Sequence, residues 1–383
     1  MKILEENAPP GEPDLTIDRR TSQPSAKRTL AKIFFLTLAA SPLAAQETKT
    51  LLATPETIVW GAYGGSIKPA LTIHSGDTVA IQTLSTCGNP KGLEARGVAP
   101  ADIPPYVQQI FDHPPEASNR GPGGHLLTGP VAIEEAQPGD VLEVRIQKIA
   151  IDVPWACNGF GTGRGFLPQD FPYSRQKLIP LDREKMIGHF APGIDIPLHP
   201  FFGSMGIAVG PAGRTDSAPP WMNGGNMDNK DLVAGTTLFL PVNSKGANFE
   251  VGDGHANQGN GEVDITALET QLTGTFQFIV HKAASSDLGA DPNRLLWPRA
   301  ETPTQYISMG FDPDLKAATE MAIRNMITFL STPGQSPVAP PLSRADAYAL
   351  VSVACDVDIT QLVDLPRVGV HVLCPKAIFK GRE

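Results

Sequence analysis

Nowhere does the 383-residue chain run apolar for the roughly 18–20 residues that a membrane-spanning helix needs, and no block rich in Lys and Arg follows residue 28. The first absence excludes a multi-span membrane protein. The second, with a net charge of −9, excludes a nucleic-acid partner, because phosphate recognition concentrates basic side chains on one surface. Cysteine is scarce: Cys87, Cys157, Cys355 and Cys374 are far apart and form no C-x-x-C, so a zinc ribbon is ruled out. They read as buried thiols or as one bridge such as Cys355 to Cys374. Also missing are G-x-S-x-G, H-E-x-x-H, a Walker A loop and a G-x-G-x-x-G that opens a helix, which removes the serine-elbow hydrolases, zincins and common nucleotide folds. A thiol nucleophile is conceivable only at Cys157, beside Asn158, with no His nearby in sequence. There are no internal repeats and no low-complexity tracts.

What the chain does have is turns. Gly and Pro number 37 each, a composition that favours short strands over long helices. Its length exceeds the roughly 250–300 residues at which single cores stop growing, which suggests two or three domains. "IKPALTIHSGDTVAIQTLS" reads as strand, turn, strand, with Leu71 and Ile73 before the turn and Val79 and Ile81 after it. "TGPVAIEEAQPGDVLEVRIQ" repeats the design, with Asp77 and Asp140 as turn acids. The Pro- and Gly-rich stretch 83–124 between them reads as a functional loop. "GTTLFLPV" and "GTFQFIVH" are further strands. Helices come late: 312–330 places Leu315, Ala318, Ala322, Met326 and Phe329 on one face, with Asp312 as N-cap and Pro313 next, and Ser343 with Asp346 approximates a capping box. The expected fold is mainly β with an α+β C-terminal part. Its expected division is a β-sandwich part at 46–150, a β-rich part with Gly-rich loops at 151–300, and the α+β part at 301–383.

Residues 27–46, "KRTLAKIFFLTLAASPLAAQ", place basic residues ahead of an apolar stretch that ends in small ones. This is the grammar of a secretory signal, with a cut near Ala45, so 1–45 reads as a leader and the mature chain as periplasmic or secreted. The alternative is an amphipathic helix of a cytoplasmic protein.

Ligand-type side chains crowd into "NMDNKDLVAGTTLFLPVNSKGANFEVGDGHANQGNGEV", residues 226–263. Asp253 and His255 are two apart, so on an extended backbone they leave one face and can converge on an ion. The Gly-rich segment after them can fold Glu262 over that face, and Asp228, between Asn226 and Asn229, can add an oxygen. Imidazole with carboxylates suits zinc or a similar first-row divalent ion, whereas an all-oxygen set would suit calcium. His125 in "GGHLLTGP" is a further candidate ligand. The same residues also read as a hairpin turn at Asp253-Gly254, turn-capping asparagines and solvated or hydrogen-bonded histidines.

"GHLLTGPVAIEEAQPGDVLEV", "GRGFLPQDF", "GGNMDNKDLVAGTTLFLPV" and "VGDGHANQGNGEV", in that order, resemble the acetamidase/formamidase family of amide hydrolases, as do "LSRADAYALVSVACDVDITQLVD" and "GVHVLCPK" at the end. The resemblance spans about residues 56–377. It implies a jelly-roll-like β-sandwich with a smaller barrel-like region, a homo-oligomer without a membrane part, and a divalent metal. It also implies hydrolysis of short linear amides to carboxylate and ammonia. Residue by residue it implies Asp228, Asp253, His255 and His125 at the metal, Glu262 and His255 in catalysis, Asn226 in catalysis and substrate binding, and Gly254 against the substrate. Two departures from the family pattern, Asn223-Gly224 in place of its histidine and Asn260 in place of an acid, keep two other readings open: a binding protein without turnover, and an amidase for a larger amide or carbamoyl substrate.

Overall fold

The Ser-Gly-Asp and Pro-Gly-Asp turns do not close hairpins. In the computed structural model, which describes residues 47–283 and 294–380, each turn carries the chain from one sheet to another. Leu71–Ile73 pairs in parallel with Leu126–Ile133, whereas Thr78–Gln82 pairs with Leu272–His281. Leu126–Ile133 likewise lies in one sheet and Val141–Ile151 in the other. The reason is burial: Leu126–Ile133 is buried at every position, so the expected polar face does not exist and the strand needs cover on both sides. The turn acids behave as read, with the His74 N–H donating to Asp77 Oδ2 at 3.0 Å and the Gln137 N–H to Asp140 Oδ2 at 2.9 Å. The expected leader, 1–45, lies outside the described residues.

Among the described residues the first sheet has nine strands. Its order is Lys49–Leu51, Thr78–Gln82, Leu272–His281, Val141–Ile151, Thr237–Pro241, Arg299–Glu301, Gln305–Asp312, Val368–Pro375 and Asp356–Gln361. The second, of eleven strands, is built around Phe249–His255, which pairs with Phe201–Gly206, Glu269–Thr270 and Leu126–Ile133. Both sheets take strands from the 46–150 and the 151–300 spans, and the first also takes the strands of 301–383. One apolar core lies between them, where Phe276 meets Phe202, Phe249 and Phe278 at ring distances of 5.6, 5.7 and 6.3 Å. Truncating so deeply buried an aromatic costs about 3–5 kcal/mol.

The C-terminal helices Leu315–Ser331 and Arg344–Ala354 bury Ala318, Ala322, Met326 and Phe329, and Ala347 and Val351, against Val368–Pro375. Asp314, not Asp312, caps the first helix by accepting from the Ala317 N–H at 2.8 Å. Asp312 ends a strand and accepts from the Asp314 N–H at 3.0 Å, which pushes the helix start past Pro313. Ser343 caps the second helix by accepting from the Asp346 N–H at 3.0 Å, and its hydroxyl donates to the Asp346 carboxylate at 2.6 Å. At Gly310 a Cβ would strike the Ala318 carbonyl oxygen and lie 2.5 Å from the Ala322 nitrogen. Gly310→Ala is therefore expected to lower the urea midpoint by an amount equivalent to about 1–3 kcal/mol. An unchanged midpoint would show that the helix can slide outward freely.

Candidate active site

Strand Phe249–His255 carries Phe249 and Val251 into the core and ends in Asp253-Gly254-His255. Asp253 and His255 leave one side of it, while Gly254 turns to the other, where a Cβ would lie 2.7 Å from Leu272 Cγ and 2.8 Å from the Thr270 carbonyl oxygen. A side chain at Gly254 would therefore point into the core, away from Asp253 and His255, because neighbouring strand residues point to opposite sides. Asp228 comes from the loop after Gly224–Asn226, and Glu262 from the turn after the central strand. That turn is fixed by the C-terminal part of the chain: the Gly261 N–H donates to the Thr360 carbonyl at 2.9 Å and the Leu362 N–H to the Gly261 carbonyl at 3.0 Å. Asp228, Asp253 and Glu262 all have left-handed backbone, with φ of 46°, 55° and 44°. L-residues rarely adopt it, at about 1–3 kcal/mol each, and these three are among seven such residues in the described chain.

The structure brings Asp228, Asp253, His255 and Glu262 together and adds Glu269. One potential ligand atom from each of Asp228, His255 and Glu262 lies within 4.8 Å of the others, as does one from each of Asp253, His255 and Glu269. His255 is fully buried, with Nε2 3.3 Å from Asp253 Oδ2 and 3.2 Å from Glu269 Oε1. Its orientation follows from Gln258. The amide Nε2 of that side chain donates to the Asp228 backbone carbonyl at 2.8 Å, so its Oε1 faces His255 Nδ1 at 3.0 Å and must accept from it. The proton of a neutral ring therefore sits on Nδ1, and Nε2 presents a lone pair, the tautomer of a metal ligand held by a second polar group. Ser204 Oγ donates to Asn226 Oδ1 at 2.5 Å and Asn226 Nδ2 to Asp228 Oδ2 at 2.6 Å, so Asn226 first of all positions that carboxylate. His125 belongs to neither convergent set; its Nε2 stands 3.7 Å from Asp253 Oδ2 and its Nδ1 3.1 Å from the Ser217 carbonyl oxygen.

The electrostatics are those of acids crowded out of water. Burial, and then the Asp228 carboxylate, raises Glu262 well above the usual range. Burial raises Glu269 as well, and burial with Asp228 does the same to Asp364, which joins the site from a loop a hundred residues further on. Burial opposes a charged His255 ring, but Glu269 and Asp253 outweigh it and hold its pKa well above the ordinary value. Burial would raise Asp253; the His255 and His125 rings outweigh it and hold that carboxyl low.

Whether the residues suit a divalent ion can be judged from atoms that lack partners. Glu262 Oε2 is buried without a hydrogen-bond partner among the described residues, a condition that costs about 1–3 kcal/mol or more for a charged group, while His255 Nε2 faces only the carboxylate oxygens of Asp253 and Glu269 and the Asp364 and Asp228 carboxyls face one another. Space is kept open beside them by Gly203, where a Cβ would collide with Asp228 Oδ1 and lie 2.6 Å from Asp253 Oδ2 and 2.9 Å from His255 Cε1. One imidazole with several carboxylates fits zinc or another first-row divalent ion. Above lies a cavity of about 480 Å³ whose walls include His125, Asn226, Asp253, Glu262, Glu269 and Asp364.

Sequence reasoning missed Glu269, Asp364, Gln258 and Gly203. Gln258 stands inside the Gly-rich stretch and was within reach; Asp364 carries no local signal. Of the two departures, Asn260, beside Glu262, is exposed and donates to Asp358 at 2.8 Å, and Asn223 donates to the Ile207 carbonyl at 2.9 Å. Cys87 and Cys157 are bonded at 2.07 Å, and Cys355 pairs with Cys374, so the described chain has two disulfides where at most one was expected.

Fold and site together define a mainly β protein in which acids and an imidazole converge, buried, at the floor of a cavity. A sequence model of the Acetamidase/Formamidase family matches residues 122–215 and 209–381. The chain belongs to that family. It is 27% identical over 252 residues to a putative formamidase of Schizosaccharomyces pombe, covering 50% of this chain and 61% of that protein. It is 25% identical over 323 residues to a formamidase of Methylophilus methylotrophus, covering 67% and 77%. The acetamidase structure from Bacillus halodurans superposes with a TM-score of 0.69 at 26% identity, over 86% of this chain and 98% of that one. The acetamidase of Yersinia enterocolitica gives 0.71 at 25%, over 88% and 94%.

Proposed function

We propose that the protein hydrolyses the C–N bond of short linear amides of the formamide and acetamide type to carboxylate and ammonia, using water activated at a divalent ion. The observation that carries this reading is the convergence of one potential ligand atom from each of Asp228, His255 and Glu262 within 4.8 Å beneath a cavity. Asp228 and His255, with Asp253 and Glu269 beside them, would hold the ion, and Glu262 would stand next to it. Bound there, it supplies Lewis acidity that polarises the amide carbonyl and brings the pKa of water toward neutrality. Glu262 would take the proton of the attacking water and return it to the departing nitrogen, a role of about 10²–10⁴-fold. Asn226 has one of its two amide N–H groups committed to Asp228, which leaves the other for the carbonyl oxygen. Gln258 and Ser204 hold the working groups in place.

The reading includes an exported homo-oligomer. Two disulfides accord with an oxidising compartment. Exposed Tyr348, Val353, Val357 and Ile359 on the last helix and on sheet-edge strand Asp356–Gln361 are surface that a second copy can cover. The test of the chemistry is ammonia release from formamide, acetamide and propionamide before and after dialysis against a chelator. Turnover is expected to vanish and to return with Zn²⁺. Undiminished release in chelator removes the ion from the reaction, and release from no amide rejects the hydrolase. For export, the mass of the chain recovered from the periplasm is expected to lack residues 1–45.

A further inference from the structure

A cavity of about 480 Å³ is larger than acetamide requires: it falls within the roughly 300–1,000 Å³ that ligands of drug size fill, and acetamide has only four heavy atoms. The chemistry of its walls is uneven. The acids lie at the floor, Ile265, Val363 and Leu365 supply apolar wall, and an exposed residue, Arg164, lines the opening. Arg164 is held there by its loop. Its N–H donates to the Gly161 carbonyl at 2.9 Å, the Thr162 N–H donates to Ser174 Oγ at 3.0 Å, and the Phe166 N–H donates to the Val263 carbonyl at 2.8 Å, next to Glu262. Phe160, Phe171 and Tyr173 pack at ring distances of 5.5–6.4 Å on the outer side of the same loop. The guanidinium itself makes no hydrogen bond or ion pair among the described residues, and Arg164 is not among the groups that set the proton affinity of the site acids, Asp253, Glu262, Glu269 and Asp364.

A guanidinium with no hydrogen bond or ion pair among the described residues, lining with Ile265, Val363 and Leu365 a cavity in which an amide is cleaved, matches a substrate that carries an anion apart from its amide on an apolar chain. We infer that Arg164 makes this cavity select amides bearing a distal carboxylate, the monoamides of dicarboxylic acids. This rests on the hydrolytic reading above and names its substrate class. The carboxylate is the natural partner because the planar fork of the guanidinium accepts it through paired N–H groups. The reaction remains a hydrolysis: the C–N bond breaks, a C–O bond to water forms, water's protons go to nitrogen and to solvent, and nothing is oxidised or reduced.

The experiment compares the full chain, metal-loaded, on three amides of matched length: the monoamide of glutaric acid, pentanamide and γ-aminobutanamide. The acidic monoamide is expected to exceed pentanamide by about tenfold or more in kcat/KM, chiefly through KM, and the cationic amide to be poorest. The preference should shrink as ionic strength rises, since the group is exposed. Arg164→Met should bring the ratio of acidic to neutral substrate to about one, and Arg164→Lys should restore part of it. Pentanamide cleaved as well as the acidic monoamide, or a preference that survives Arg164→Met, overturns the assignment while leaving the hydrolase intact. If no amide is cleaved at all, the hydrolase reading fails alone, and calorimetric titration with the same three compounds decides the role of Arg164 by the same ratio.

Discussion

Gly203→Ala is expected to cut ammonia release by about 10²-fold or more and to weaken Zn²⁺ binding to the purified chain, while the protein still folds. The methyl group would collide with Asp228 Oδ1 and stand 2.6 Å from Asp253 Oδ2 and 2.9 Å from His255 Cε1, closer than real Cβ contacts come. All three neighbours are side chains, so the strand can keep its pairing with Phe249–His255 and the ligand atoms must yield. Displacing reacting groups by about 1 Å costs on the order of 10² in rate. Ammonia release, calorimetric titration with Zn²⁺ and far-ultraviolet circular dichroism together check it. A Gly203→Ala chain with full turnover and unchanged ion affinity would show that the space between the carboxylates has no use in catalysis.

Glu262→Gln is expected to lower kcat by about 10²–10⁴-fold and at the same time to raise stability near neutral pH. The amide keeps the shape of the carboxylate but cannot take a proton. The stability gain follows from linkage. Glu262 has a folded pKa raised above its unfolded value by burial and by Asp228, so the folded state holds this proton more tightly. Its contribution is therefore most favourable in acid and turns against the fold as pH rises from the unfolded carboxyl pKa, about 4.3, through the folded one. Glutamine removes that loss. The metal-free variant should accordingly melt higher than the parent at pH 7 and no higher well below pH 4. Full activity in Glu262→Gln would assign the proton transfer to another group; a lower melting point at pH 7 would mean that the carboxylate gains more from its surroundings than burial takes away.

Much of this was legible along the chain. Alternating apolar residues marked Leu71–Ile73, Thr78–Gln82, Thr237–Pro241 and Leu272–His281, and the spacing in Asp253-Gly254-His255 put an acid and an imidazole on one side of a strand. Less legible was the destination of each strand. A turn such as Pro-Gly-Asp reverses the chain whether the next strand pairs with the last or crosses to the facing sheet, so the crossing at Asp140 leaves no local mark. The same limit hid the cap at Asp314, since Asp312 and Asp314 are chemically alike and only the end of strand Gln305–Asp312 distinguishes them.

From composition, turn residues and side-chain periodicity alone, the chain could be known as a mainly β protein with helices near its C-terminus, though not that two more, Pro90–Ala95 and Pro105–Asp112, form within the 83–124 stretch, and with a cluster of ligand-type groups between residues 226 and 263, because these depend on neighbours within a few positions. Which of those groups meet, and what faces them, depends on contacts between distant segments. Thr360 fixes the turn that delivers Glu262, Asp364 arrives from the far end of the chain, Glu269 closes on His255, and Gly203 leaves the gap between them. Each of those contacts joins residues brought together by the packing of the sheets, and packing has no period along a sequence.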